Sequence, residues 1–274
     1  MSLEPHLPTH SPSILAEIRT QRVKDVAVAK LVPGASPEQL QAYLSMSLSP
    51  PLVSFVERLR QNPTSSSAHP KPSLVAEFKR SSPATSDDID LATQLDAGTF
   101  ALHAAIVGAS VISVVTEPTR YNGSLIDLRV ARDSVASLPE RPAILCKDLI
   151  IDEYQIDEAR FHGADSVSLA VAALPLERLE ALYSYSKSRG MEPLVEVSNL
   201  VEMEMAINLG AKVIGINNRN PHSYHLDLDT TIRLAAMVKE NGSGTYVLCA
   251  MGGITTPAQI EAYASHGVNA IFMG

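Results

Sequence analysis

From Ser73 to Gly274 the chain switches repeatedly between two textures. Short apolar, β-branched runs recur at LVAEFKR (74–80), VISVVTE (111–117), AILCKDL (143–149), SVSLAV (166–171), PLVEVS (193–198), VIGINNR (213–219), YVLCAMG (246–252) and AIFMG (270–274). Between them lie amphipathic stretches such as DEYQIDEARFHG and PLERLEALYSYSKSRG. The first pattern predicts buried strands and the second predicts helices. Asp152 to Gln155 and Thr256-Pro257-Ala258-Gln259 read as capping boxes that open helices, and Gly163, Gly190, Gly210 and Gly267 sit where helices should end. Strands that alternate with helices make a parallel sheet. Eight strand candidates in about 200 residues, roughly 25 per unit, suit a (β/α)8 TIM barrel. The even spacing favours that architecture over a doubly wound sheet. No GxGxxG or Walker loop follows any strand, which weakens dinucleotide and P-loop readings.

Residues 1–72 have a different texture and predict an N-terminal helical extension followed by a linker, with the barrel over 73–274. SILAEIRTQRVKDVAVAKLV repeats apolar residues at three- and four-residue spacing, Ser36-Pro37-Glu38-Gln39 is a helix start, and a third helix is expected over Pro51 to Gln61. NPTSSSAHPKP then reads as a linker. Hydrophobic residues make up 45% of the 274, which supports a substantial core. No apolar run approaches the roughly 18 residues of a membrane span. The formal charge of −8 argues against nonspecific nucleic-acid binding, while a local basic site for an anionic small molecule stays open. Two cysteines, Cys146 and Cys249, cannot build a disulfide framework and read as buried core. With no signal pattern at the N-terminus, a cytoplasmic location is expected.

In a (β/α)8 barrel the active site lies at the C-terminal strand ends, so polar residues there are the candidates. Glu77 and Lys79 are two apart and share one side of strand 1, as a structural ion pair or as site groups. Lys147 follows the apolar AILC; it is either a surface lysine or, inside the mouth, an acid with a lowered pKa. Glu196 stands between Val195 and Val197 and needs a partner or a task. Asn217 and Arg219 share one face of strand 6, with Asn218 on the other; Arg219 reads equally as a bridge between strand ends or a substrate contact. Carboxylates and ammonium groups converging in a concave mouth suit proton transfer on an anionic substrate. No HxH or HExxH spacing suggests a metal, and no GxSxG elbow appears.

The segments AEFKRSSP, ISVVTEPTRYNGS, CKDLIIDEYQIDEARFHGAD, LVEV and IGINNRN resemble the indole-3-glycerol phosphate synthase family, from about Ile14 to the last residue. The resemblance implies conversion of 1-(2-carboxyphenylamino)-1-deoxyribulose 5-phosphate to indole-3-glycerol phosphate with loss of CO2 and water, without cofactor or metal. It implies that Lys147 is the general acid, that Lys79 contacts the carboxylate and phosphate region, and that Glu196 acts as base or stabilises positive charge. Glu77 and Asn217 would orient the lysines and substrate. Ser82 would lie on the phosphate side, with Tyr121 and Asn122 in the loop near the substrate ring. Arg219, Gly252, Gly253 and Gly274 complete the expected binding set. The resemblance also places the N-terminal helices near the barrel mouth and makes fusion to other tryptophan-pathway domains an expectation.

Four departures accompany the resemblance. Met251 and Gly252 stand where many relatives carry a glutamate and a serine. Ala84-Thr85-Ser86 follow Pro83 where a loop lysine is usual. Leu149 and Ser198 replace a phenylalanine and a histidine. Gly274 matches the glycine at the end of strand 8, so the resemblance implies that the last helix is missing and that strands 1 and 8 expose apolar surface. Met251, Gly252 and the altered loop after strand 1 motivate a second reading, a noncatalytic barrel with a structural or regulatory role in a fused protein.

Overall fold

The computed structural model describes residues 13–60, 71–82, 95–240 and 246–274. Three helices come first: α1 (Ile14–Ala29), α2 (Pro37–Ser45) and α3 (Phe55–Arg60). The strands are β1 (Ser73–Phe78), β2 (Val111–Val115), β3 (Ala143–Lys147), β4 (Ser166–Ala170), β5 (Leu194–Val197), β6 (Val213–Asn217), β7 (Val247–Met251) and β8 (Ala270–Met273). Between them lie α4 (Ala97–Ile106), α5 (Leu125–Ser134), α6 (Glu153–Phe161), α7 (Leu176–Ser188), α8 (Leu200–Asn208), α9 (Asp229–Glu240) and α10 (Pro257–Ser265). All eight strands pair in parallel and in sequence order, and β1 pairs with β8 to close the barrel. The expected helix starts form as capping boxes at Ser36, Asp152 and Thr256. Gly163, Gly190, Gly210 and Gly267 follow their helices with φ between +75° and +98°.

Strand alternation sorts the side chains into two cores. Val75, Leu145, Leu194, Val213, Cys249 and Phe272 belong to the cluster that fills the barrel interior. Their neighbours in sequence, such as Ile144, Cys146, Val195 and Ile214, pack with the surrounding helices. On β1, β3, β5 and β6 the inward face follows Val75, Leu145, Leu194 and Val213 with a polar residue at the C-terminal end, namely Glu77, Lys147, Glu196 and Asn217. Both cysteines are buried, and burial pushes the Cys146 thiol up to about 12.

The N-terminal helices do not all gather at the mouth. Leu15 and Ile18 of α1 line the cavity there, whereas Phe55 and Leu59 of α3 join the interior cluster with Val75, Val111, Ala143 and Val247. Those residues lie at the opposite end of the strands, so α3 plugs the barrel floor. It begins at Phe55 rather than Pro51 because the preceding segment is committed elsewhere. The Pro51 carbonyl accepts from Arg141 at 2.9 Å, and Val53 N–H donates to Asp165 at 2.9 Å. Asp165 is also paired with Arg141 at 2.6 Å in a nearly solvent-free contact.

The expectation of exposed apolar surface on β1 and β8 is not met at Phe78 and Ile271, which are buried; Leu74 and Met273 are half-buried. Phe78 packs against Phe100 of α4 with ring centroids 5.4 Å apart, and Ile271 packs with Ile254 and Tyr263. Residues 62–70 of the expected linker and Pro83 to Ser86 of the loop after β1 lie outside the described residues.

Candidate active site

A cavity of about 630 Å³ opens at the C-terminal ends of the strands. Glu77, Lys79, Ser82, Tyr121, Lys147, Glu196, Asn217, Arg219, Gly252, Gly253 and Gly274 all line it. The exception among the expected residues is Asn122, which is exposed and outside the lining. Its φ of +51° places it in the left-handed region. The chain turns there so that Gly123 can lie directly on the Val115 carbonyl, where a Cβ would sit 2.1 Å from that oxygen.

The charged groups pair within the mouth, one pair between β3 and β5 and the other at the end of β1. Lys147 Nζ lies 2.9 Å from Glu196 Oε1 and donates to Oε2 at 3.2 Å. Lys79 Nζ lies 3.6 Å from Glu77 Oε1, and Ser113 Oγ donates to Glu77 Oε2 at 3.3 Å. The Lys147 and Glu196 side chains retain only 21% and 9% of their exposure. Burial alone would lower the Lys147 pKa, which was the expectation. The carboxylates of Glu196 and Glu77, together with the hydrogen bond, override that effect and raise it. These carboxylates therefore hold Lys147 as a charged ammonium.

Asn217 Oδ1 accepts the Arg219 N–H at 3.0 Å. Gly252, at φ +87°, leaves room beside it, since a Cβ there would lie 3.1 Å from Oδ1. Arg219 lines the cavity, and its guanidinium donates to the Tyr224 carbonyl at 2.9 Å. The bridge runs within its own loop rather than between strand ends. Asn218 faces outward, buried, and ties β6 to Gly252, Tyr263 and Thr231. Met251 is buried at the cavity edge, and its Sδ occupies the space where Gly215 has no Cβ, 2.6 Å from the ideal Cβ position.

Several cavity residues carried no sequence signal. Asp148, next to Lys147, accepts from Thr116 at 2.8 Å and from Arg22 of α1 at 3.0 Å. Burial raises the Asp148 pKa, and Arg22 offsets part of that effect. Glu117 is buried and accepts the backbone N–H groups of Thr119, Arg120 and Tyr121 at 3.0, 2.7 and 3.0 Å. It thus fixes the loop that presents Tyr121. Arg120 pairs with Glu17 at 2.5 Å, and Ser13 Oγ is 3.2 Å from His222 Nδ1. Helix α1 is thereby anchored to the loops after β2, β3 and β6. Ser198 has a local task, bonding Glu202 at the start of α8.

Among the described residues no group of three or more His, Cys, Asp or Glu side chains is placed to hold a metal ion. No described helix is long and apolar enough to cross a membrane.

The family model for indole-3-glycerol phosphate synthase matches residues 15–274. A multifunctional tryptophan biosynthesis protein of Phanerodontia chrysosporium is 54% identical over 263 residues, covering 96% of this chain and 32% of that protein. The chain spans about a third of the length of such relatives. An indole-3-glycerol phosphate synthase of Oceanobacillus iheyensis is 38% identical over 227 residues, covering 82% of this chain and 79% of that protein. Among solved structures, an N-acetylmannosamine-6-phosphate 2-epimerase from Clostridium perfringens matches with a TM-score of 0.55 at 14% identity, over 74% of this chain and 86% of that one, a likeness of fold alone.

Proposed function

The chain belongs to the indole-3-glycerol phosphate synthase family, and from that premise we propose that it closes the indole ring of 1-(2-carboxyphenylamino)-1-deoxyribulose 5-phosphate, releasing CO2 and water. The observation that carries the reading is the Lys147–Glu196 pair at 2.9 Å inside a mouth that also holds Lys79 and Glu77. Burying charged pairs costs free energy, and these two face one open cavity, where a substrate can use them.

The chemistry divides among these groups. The aromatic carbon bearing the carboxylate attacks the ribulose ketone, and the ketone oxygen becomes a hydroxyl as Lys147 donates its proton. A lysine held as an ammonium is loaded for that step. Loss of CO2 restores the aromatic ring. The new hydroxyl then takes a proton from the Lys79 ammonium and leaves as water, while Glu196 stabilises the positive charge on the ring nitrogen and accepts a proton from the methylene carbon beside it, which forms the double bond of the new ring. Lys79 neutralises the substrate carboxylate, Glu77 orients Lys79, and Asn217 holds the sugar hydroxyls. Ser82 and the backbone at Gly252, Gly253 and Gly274 serve the phosphate. Met251 moves no proton, so the lysines and Glu196 carry the transfers.

We place this activity within a longer multifunctional polypeptide in the cytoplasm, after the multifunctional relatives. The substrate is incubated with the protein and indole fluorescence is followed. The sequence has no tryptophan, so the background is low. A rise above the enzyme-free control is expected; a flat trace from folded protein would refute the reading.

A further inference from the structure

Two phenols meet across the mouth from loops that are 103 residues apart: Tyr121 Oη and Tyr224 Oη are 2.7 Å from each other, and both rings line the cavity. Each is held from behind. Tyr121 hangs from the loop pinned by Glu117. Tyr224 has a φ of +58°, a left-handed conformation that is costly for a bulky side chain. The loop enforces that conformation at both backbone groups. Tyr224 N–H donates to the Asn220 carbonyl at 2.8 Å, and its own carbonyl accepts from Arg219 at 2.9 Å. Surrounding structure has to over-determine such a conformation, and here the strained backbone aims the ring at Tyr121 rather than at solvent.

Resting on the function proposed above, we propose that Tyr224 is a positioning residue for the aryl end of the substrate, acting through Tyr121. Its hydroxyl fixes the rotation of the Tyr121 phenol, and both rings serve as an aromatic wall of the cavity that holds the Lys147–Glu196 pair. Ring closure needs the aryl carbon held at a defined angle to the ketone, so a wall that cannot rotate improves binding of the bent substrate. Burial, Tyr224 and the nearby carboxylates raise the Tyr121 pKa, so the phenol stays protonated and the bridge stays intact at neutral pH.

The test is a double-mutant cycle on the whole protein with Tyr121→Phe, Tyr224→Phe and the pair. Phenylalanine keeps the rings and removes the bond. Each single variant should raise KM about three- to tenfold, the value of one neutral hydrogen bond, with kcat within about twofold. The double variant should be no worse than either single one. The same ratios are expected in Kd for the unreactive analogue whose ketone is reduced to an alcohol, read by tyrosine fluorescence. Unchanged constants in both single variants, or effects that multiply in the double variant, would overturn the proposal. If the parent protein makes no indole yet the analogue Kd follows the cycle, the positioning role stands and the reaction assignment falls. If indole forms normally in every variant, with unchanged KM and Kd, the reverse holds.

Discussion

Replacing Glu196 by glutamine tests what holds the proton on Lys147. The substitution keeps the volume and one acceptor oxygen but removes the charge that lies 2.9 and 3.2 Å from Nζ. Opposite unit charges about 3 Å apart attract by about 5 kcal/mol at an effective dielectric near 20. Residual access of water to the ammonium reduces that figure, but even a third of it changes proton affinity more than tenfold. Burial, the largest opposing effect, is untouched by the substitution, and of the two carboxylates that raise the pKa only Glu77 remains. The Lys147 pKa should therefore fall in the variant. Competitive acetylation across pH, read by mass spectrometry at Lys147, reports the free amine directly. At a pH below the ordinary lysine range the variant should show at least a tenfold larger free-amine fraction than the parent. Stability follows the same sign. In the parent, a raised pKa gives a contribution that is complete below the ordinary lysine value and is lost as pH rises through the folded-state value; the variant should lack that loss. An unchanged acetylation profile would refute the electrostatic reasoning.

Three further perturbations probe the frame around the site. Arg22→Ala strips the buried Asp148 of its charged partner and should cost about 3 kcal/mol in urea unfolding; an unchanged midpoint would show that α1 is not anchored there. Burial pushes the Glu158 carboxyl up to about 7, so folding loses stability as pH climbs from the ordinary carboxylate range through about 7. Glu158→Gln should accordingly melt roughly 3–8 °C above the parent at pH 8 and level with it at pH 4, and equal melting at both pH values would refute this. Gly252→Ala forces a Cβ into a left-handed position beside Asn217 and should cost about 1–2 kcal/mol with a raised KM; no change in either would remove the steric argument.

The architecture was legible because both of its determinants are local. Apolar runs flanked by caps at Asp152 and Thr256 define strand–helix units without reference to the rest of the chain. Strand parity then carries Glu77, Lys147, Glu196 and Asn217 into the interior, because a two-residue period leaves no choice of side. Asn122 lies outside the cavity lining, a placement set by its left-handed backbone that a resemblance between loops does not fix. Lysine burial alone suggested the wrong pKa direction for Lys147; the answer depended on a carboxylate 49 residues away. Arg22 with Asp148, and Tyr121 with Tyr224, are contacts separated by 126 and 103 positions, created only when the barrel closes. Glu117 gave no signal either, since its partners are backbone N–H groups that every sequence possesses. The fit of Met251 against Gly215 likewise depends on the β6–β7 register, which pairs Gly215 with Cys249 and Asn217 with Met251.

The most direct test of the central claim is the rate of indole formation by Lys147→Ala beside the parent protein, with circular dichroism confirming that both are folded. The account predicts a parent that produces indole-3-glycerol phosphate and a variant slower by about 10²–10⁴-fold. Equal rates from the two proteins would contradict it.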